Sequence, residues 1–359
     1  MKIIRILFSL ILQNFTNNLS KMIPKILDLA LQGGGSHGAF TWGVMEALLE
    51  DERIKIDGLC GTSAGAMNAT IFSYGMLKNG RKGAIDLLNK FWKRISTQQN
   101  FSILQPSAID KNSNSSKLGY SPIYQMFDFY TMLFSPYQFN PTDYNPLRDV
   151  LLEMIDFEEL KYTKENKLFV CATNVRTGRA KVFDTQNISV DAVMASACLP
   201  FLFKAVEIDG EAYWDGGYMG NPPIFPLIDN AESTDVLLIQ INPIEIEKIP
   251  QTADEIRDRI NTLSFNTSLM HEMRRVNMLQ RLLALGLNIG DGGEHKILIH
   301  HINPQEIMAG MTASSKLNAD WEFLKMLKEK GKKAAQEWVA LNFDNIGKVS
   351  TCDIKDVFL

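Results

Sequence analysis

Apolar runs of strand length alternate with apolar positions at helical spacing along most of this chain. Residues 26–32, Ile-Leu-Asp-Leu-Ala-Leu-Gln, form a nearly continuous apolar run and predict a buried strand. In residues 39–50, Phe40, Val44, Ala47 and Leu48 fall at helical spacing and predict a helix. A second apolar run over 54–60 is followed by two more helical patterns, 66–77 and 84–95. Further strand-like runs lie at 167–173, 236–241 and 296–302, with helical patterns between or beside them. Strands alternating with helices predict an α/β fold with a mostly parallel sheet covered on both faces.

Two segments break the alternation. Residues 111–117, Lys-Asn-Ser-Asn-Ser-Ser-Lys, read as a flexible loop. Behind them Tyr120, Tyr124, Phe127, Phe129, Tyr130, Phe134, Tyr137 and Phe139 are far denser in aromatic rings than the 9% of the whole chain. Most are expected to pack into the core, with a minority lining an acyl-chain pocket or a lid within 101–145. Residues 253–287 form a long amphipathic pattern that carries Arg257, Arg259, Arg274, Arg275 and Arg281. A helix covering the sheet explains that pattern, and a basic face toward anionic lipid is the weaker reading.

At 359 residues, 45% apolar and 22% charged, the chain has an ordinary globular composition that can bury a full core. One domain from residue 26 to 359, with helical cover from 253 onward, accommodates the pattern. A net charge of -4 and the lack of a long basic run argue against a nucleic-acid partner. Cys60, Cys171, Cys198 and Cys352 are far apart and lack C-x-x-C spacing, so no zinc site or disulfide framework is suggested. Residues 1–12 are basic and then apolar, but too short to span a bilayer. Residues 1–25 therefore read as a signal-like segment, a peripheral membrane-contact helix, or an extension upstream of a start at Met22. Cytoplasmic, membrane-peripheral and exported locations all stay open, and nothing in the sequence specifies the oligomeric state.

The chemistry centres on Gly61-Thr62-Ser63-Ala64-Gly65, which joins the second strand to a helix. A strand, a sharp turn bearing serine, and a helix make a nucleophile elbow, with Ser63 as the candidate nucleophile. Upstream, Gly33, Gly34, Gly35, Ser36, His37 and Gly38 lie between the first strand and the first helix. Backbone N–H groups in such a loop form an anion site, which in an acyl hydrolase is an oxyanion hole. The same residues satisfy G-x-G-x-x-G, the dinucleotide-binding pattern, with Asp57 as the ribose partner. A second tight turn bearing a serine is unexplained by nucleotide binding, whereas amides and nucleophile together suit a hydrolase.

The serine needs a base. His300 or His301 would complete a triad in α/β-hydrolase chain order, although that fold places several strands before its elbow and here only two precede Ser63. His271 and His295 lack a partner motif. Asp215, at the end of Ala212-Tyr213-Trp214-Asp215-Gly216-Gly217, is preferred over Asp291 of the second Asp-Gly-Gly, which sits in a loop context. Desolvation by Tyr213, Trp214 and Tyr218 would raise its basicity.

With these motifs in order, and with Ala195-Ser196-Ala197-Cys198-Leu199-Pro200 between them, the chain resembles the patatin-like phospholipase family. The resemblance spans residues 33–217. It implies an α/β/α sandwich, hydrolysis of acyl esters in lipids by a Ser63–Asp215 dyad, and neither a metal, a cofactor nor a catalytic histidine. It also implies that Gly61, Thr62, Ala64, Gly65, Gly216 and Gly217 shape the two turns. One departure is His37, where the family's loop usually carries arginine; a structural role suits it better than catalysis. A catalytically silent lipid-binding module on the same fold is the further alternative.

Overall fold

The computed structural model describes residues 24–99, 131, 133–287, 296–308 and 311–359. In chain order its principal elements are β1 (Lys25–Leu31), α1 (Gly38–Glu50), β2 (Ile54–Thr62), α2 (Ala64–Gln99), α3 (Pro146–Met154), β3 (Lys167–Asn174), β4 (Ala180–Asp184) and α4 (Val190–Ser196). There follow β5 (Val206–Ile208), β6 (Glu211–Asp215), α5 (Phe225–Asn230), β7 (Asp235–Ile239), α6 (Ala253–Ala284), β8 (Leu298–Ile302), α7 (Trp321–Asn342) and α8 (Ile354–Phe358). The predicted helices 66–77 and 84–95 both lie in α2, broken where Gly80 takes a positive φ of 56°. The extension over residues 1–23 lies outside the described residues.

The strands form one sheet in the order β5-β6-β3-β2-β1-β7-β8, with β4 also on β3. β1, β2, β3, β7 and β8 are mutually parallel, and β4, β5 and β6 join antiparallel. Side chains along a strand alternate between faces, so each central strand feeds two cores. Leu27, Leu29 and Leu31 of β1, with Leu237 and Ile239 of β7, pack in one core with α1, α2, α3, α4 and α7. Ala30, Val236 and Leu238 belong to a second core with α5, α6 and α8. Two cores separated by one sheet make the expected three-layer α/β/α sandwich.

The 253–287 pattern is α6, which turns Phe265, Leu269, Met273 and Val276 inward. Arg257 pairs with Asp254, Arg275 with Glu272, and Arg259 donates to the Ile244 carbonyl, as suits a covering helix. Of the aromatic cluster, Tyr120, Tyr124, Phe127, Phe129 and Tyr130 lie outside the described residues. Phe134 and Tyr137 are exposed rather than in the core, because they rim a cavity described below.

One detail of the sheet positions the site. β4 occupies one edge of β3 along residues 169–173, which leaves the other edge to be shared by β2 and β6. Thr62, the last residue of β2, pairs with Cys171; Asp215, the last residue of β6, pairs with Ala172. Adjacent residues of one strand are only about 3.4 Å apart along it. The two strands therefore run head-on along one edge and stop where they meet.

Candidate active site

Ser63 occupies the turn between β2 and α2 with φ 54°, a conformation uncommon for a residue with a side chain. The turn is tight enough to exclude side chains on either flank. A Cβ on Gly61 would stand 2.4 Å from the Gly65 carbonyl carbon, and one on Gly65 would stand 2.2 Å from the Leu31 carbonyl oxygen. The strained residue is held by its neighbours: the Ser63 N–H donates to Ser196 Oγ at 2.9 Å, and Thr62 Oγ1 donates to the Gly220 carbonyl at 2.5 Å. α2 begins at Ala64, so its positive N-terminal end lies directly behind the half-buried serine.

Asp215 is wholly buried where β6 ends. Its Oδ1 accepts the Gly217 N–H at 2.7 Å, and its Oδ2 has no partner at full hydrogen-bond geometry among the described residues. The Ser63 hydroxyl nevertheless approaches closely enough to stabilise the carboxylate as a donor. Such looser contacts are common in catalytic pairs before substrate binds. Burial pushes the Asp215 carboxyl up from 3.8 to about 7, against the opposing pull of the Gly217 amide, the Ser63 hydroxyl and the Lys316 charge. Gly216 opens the single turn that carries the chain away, and a Cβ on Gly217 would stand 2.3 Å from the Phe265 ring.

The segment 195–200 ties the two residues together. Besides Ser196 at the elbow, the Cys198 carbonyl accepts the Asp215 N–H at 2.8 Å. Its role was not readable beforehand, since neither hydrogen bond leaves a periodic mark in the sequence.

The 33–38 loop lies beside the elbow, with a Cβ on Gly33 falling 2.8 Å from that of Ser63. Two of its five expected oxyanion donors are already committed: Gly33 N–H bonds Asn221 Oδ1 at 2.7 Å, and Gly38 N–H bonds the Gly35 and Ser36 carbonyls. This corrects the expectation that Gly33 and Gly38 offer their amides. The N–H groups of Gly34, Gly35 and Ser36 have no such bond among the described residues. A buried amide network holds the loop from below. Asn242 Nδ2 donates to the Gly33 carbonyl, while Gln32 Oε1 accepts from Ile241 and Asn242 N–H and its amide donates to Asn266. Sequence reasoning missed Asn221, Gln32, Asn242 and Asn266; the turn signal Gly-Asn-Pro-Pro at 220–223 was the one available pointer.

The histidines lie in other networks. His300, buried, bonds Asp235 at 2.8 Å and Thr351 at 2.9 Å, and His301 bonds Gln240 at 2.9 Å. His37 bonds Ser315 Oγ at 2.7 Å, and burial lowers its pKa to about 3, so it is a neutral anchor for the loop. Asp57 accepts the Glu232 N–H at 2.8 Å and lies five residues before the end of β2, short of the strand's C-terminal tip where a ribose would sit. His271 is exposed on α6; Asp291 and His295 lie outside the described residues. All four cysteines are buried and free.

A largely apolar cavity of about 720 Å³ is lined by Trp214, Tyr218, Val175, Pro200, Phe201 and Tyr137 among others. Of its lining residues, Tyr218 lies near enough to Asp215 to feel its charge.

A family model, Patatin-like phospholipase, matches residues 29–228, more than half of the chain. Uncharacterized protein R571 of Acanthamoeba polyphaga mimivirus is 23% identical over 217 residues, covering 58% of this chain and 64% of that protein. The chain thus spans less than two thirds of that relative's length. Among solved structures, VipD from Legionella pneumophila aligns with 89% of this chain and 67% of its own, at 17% identity and a TM-score of 0.45. ExoU in its heterodimeric complex with SpcU, from Pseudomonas aeruginosa, aligns over 90% and 52%, at 15% identity and a TM-score of 0.38. The matched 200-residue segment contains the end of β1, the glycine loop, the elbow, the 195–200 tie and Asp215, and on this ground the chain belongs to the patatin-like phospholipase family.

Proposed function

We propose that this protein is a serine acyl hydrolase that cleaves carboxylic ester bonds of lipids through a Ser63–Asp215 dyad and an acyl-enzyme intermediate. The observation that carries the reading is the head-on meeting of β2 and β6. It leaves a strained serine facing a buried carboxylate whose Oδ2 is unclaimed. With a pKa near 7, Asp215 is a far stronger base than an exposed aspartate and is still about half ionised at neutral pH.

In the first half-reaction Ser63 Oγ attacks the ester carbonyl as its proton passes to Asp215 Oδ2. The carbonyl oxygen becomes an oxyanion facing the N–H groups of Gly34, Gly35 and Ser36, reinforced by the N-terminus of α2. Collapse of this intermediate breaks the ester C–O bond, and the proton on Asp215 leaves with the alcohol. Water then repeats the sequence on the acyl-serine, with Asp215 again as base, releasing the fatty acid. The cavity beside Trp214 and Tyr218 suits the acyl chain: its size falls in the usual ligand-pocket range of about 300–1,000 Å³ and its lining is largely apolar.

Fluorophosphonate labelling tests the reading. Wild-type protein is expected to label at Ser63 and to hydrolyse p-nitrophenyl esters, while Ser63→Ala loses both and Asp215→Asn loses turnover by about 10³-fold or more. Saturable NAD(P) binding without labelling would select the dinucleotide alternative, and lipid binding with neither would select the silent module.

A further inference from the structure

Gly33 leads from β1 into the loop that carries the free amides, and nothing but its own peptide groups can hold it there. A Cβ at this position would stand 2.6 Å from the Thr62 carbonyl oxygen and 2.8 Å from Ser63 Cβ, so no side chain could anchor it by packing. Both peptide units that meet at Gly33 are instead gripped by amide side chains. Asn221 Oδ1 accepts the Gly33 N–H at 2.7 Å, and Asn242 Nδ2 donates to the Gly33 carbonyl at 2.8 Å. That carbonyl and the Gly34 N–H belong to one planar trans peptide and point in opposite directions. A donor that fixes the carbonyl therefore fixes the direction of the N–H, and the Gly34 N–H is one of those left without a bond among the described residues.

Asn242 lies in the segment after β7, beyond residues 29–228 that the family model matches, and both of its backbone groups are held. Its N–H donates to Gln32 Oε1 at 2.7 Å and its carbonyl accepts from Gln240 Nε2 at 2.7 Å. The preceding residue, Ile241, packs on the same peptide, since a Cβ on Gly34 would stand 3.1 Å from Ile241 Cγ2. The Asn242 side chain is buried, and its Oδ1 has no partner among the described residues. An orphaned buried acceptor costs at least as much as one buried hydrogen bond returns. A leucine of nearly the same size would also leave one orphan, the Gly33 carbonyl in place of Oδ1. Stability therefore gives no reason for an amide at this position, whereas the direction of its donated hydrogen does. A hydrogen bond accepted by a peptide carbonyl also polarises the peptide and strengthens the N–H at its other end as a donor.

We propose that Asn242 is a positioning residue: through the Gly33 carbonyl it aims the Gly34 N–H at the oxyanion that forms when Ser63 attacks. The proposal rests on the serine-hydrolase reading above and adds to it a residue that touches no substrate. Without the Asn242 donor the Gly33–Gly34 peptide is free to turn about the two bonds that flank it, and both belong to glycines, whose backbone no side chain restrains. The carbonyl of a bound ester carries little charge, so the ground state loses little. The transition state loses a directed donor where negative charge develops. The loss falls on kcat and leaves KM in place.

The test is Asn242→Leu with two readouts. On p-nitrophenyl butyrate, kcat is expected to fall about 10- to 100-fold, somewhat less than outright removal of an oxyanion donor costs, with KM within about threefold of wild type. An unchanged kcat, or a loss carried by KM, would overturn the proposal. The second readout needs no turnover. In protein labelled with 15N-glycine the Gly34 amide resonance should move upfield in the variant, because the nitrogen responds to the hydrogen bond at the carbonyl joined to it, while the distant Gly178 and Gly347 stay in place. If Gly34 does not move, Asn242 does not hold the peptide and the proposal falls, whatever the kinetics. The spectrum also separates the two readings. A shifted Gly34 beside a wild type that neither labels with fluorophosphonate nor turns over supports the hold on the peptide and sinks the hydrolase reading alone. Where the leucine variant loses its circular-dichroism signal, Asn242→Ala takes its place in both assays.

Discussion

Asp215→Asn should abolish activity and at the same time make the folded protein more stable at alkaline pH. In the native state the Asp215 carboxyl is pushed up by burial from 3.8 to about 7. A raised carboxyl binds its proton more tightly folded than unfolded. Its ionisation therefore opposes folding fully above pH 7, and the penalty fades as pH falls toward 3.8. Three pH units at about 1.36 kcal/mol each give a ceiling on the order of 4 kcal/mol at pH 8. Asparagine removes that penalty. Its oxygen can still accept the Gly217 N–H, while its new N–H group meets only the Ser63 hydroxyl, and an ill-satisfied buried donor returns about 1–3 kcal/mol. The net gain of roughly 1–3 kcal/mol corresponds to a Tm higher by a few degrees. The assay is differential scanning fluorimetry of both proteins from pH 5 to pH 8.5, beside p-nitrophenyl butyrate turnover. At pH 5 the ionisation penalty shrinks to under about 2 kcal/mol, so the Tm difference should narrow or reverse. A variant that is destabilised by the same amount at every pH would refute the claim that the site stores an ionisation penalty in Asp215.

On the proposed mechanism the same carboxyl should set the acid limb of the pH profile. Below pH 7, kcat/KM should fall about tenfold per unit as Asp215 takes up its proton, and a flat profile down to pH 5 would exclude it as the base. Ser196→Ala leaves the Ser63 N–H without its acceptor at a strained turn, so turnover should drop by about 10-fold or more with little loss of secondary structure; wild-type rates would show that the 195–200 segment does not hold the elbow. In Gly217→Ala the methyl would meet the Phe265 ring at 2.3 Å, so esterase activity should fall by at least an order of magnitude, and near-normal rates would mean the turn yields freely. Val175→Trp fills part of the cavity and should lower the ratio of long-chain to short-chain ester hydrolysis several-fold; an unchanged ratio would place the acyl chain elsewhere.

Local pattern was sufficient wherever a feature is contained in a few consecutive residues. The strand-turn-helix at Ser63 is such a case, because glycines two positions to each side are a requirement of the turn itself. The alternation of strands and helices, including a break near Gly80 in α2, was legible for the same reason. Asp215 over His300 as base, and a hydrolase over a dinucleotide site with Asp57 as ribose partner, were readable only as preferences. Each sits at or near a plausible strand position, and nothing local says that His300 is spent on Asp235 or Asp57 on the backbone of residue 232. Which loop amides are free was not legible at all, since Gly33 and Gly38 look like Gly34 and Gly35 until Asn221 and the first helical turn claim their hydrogens.

By itself the sequence determined the fold class, the family and the strand-turn-helix at Ser63, all of which follow from residue types at short spacing. Tertiary structure alone decided that β2 and β6, whose last residues are more than 150 positions apart, share one edge of β3, because strand pairing is a relation between distant segments. It likewise decided that Asp215 is wholly buried and its carboxyl raised by that burial. Burial and charge depend on what the whole chain packs around a group, and that information resides in no single stretch of it.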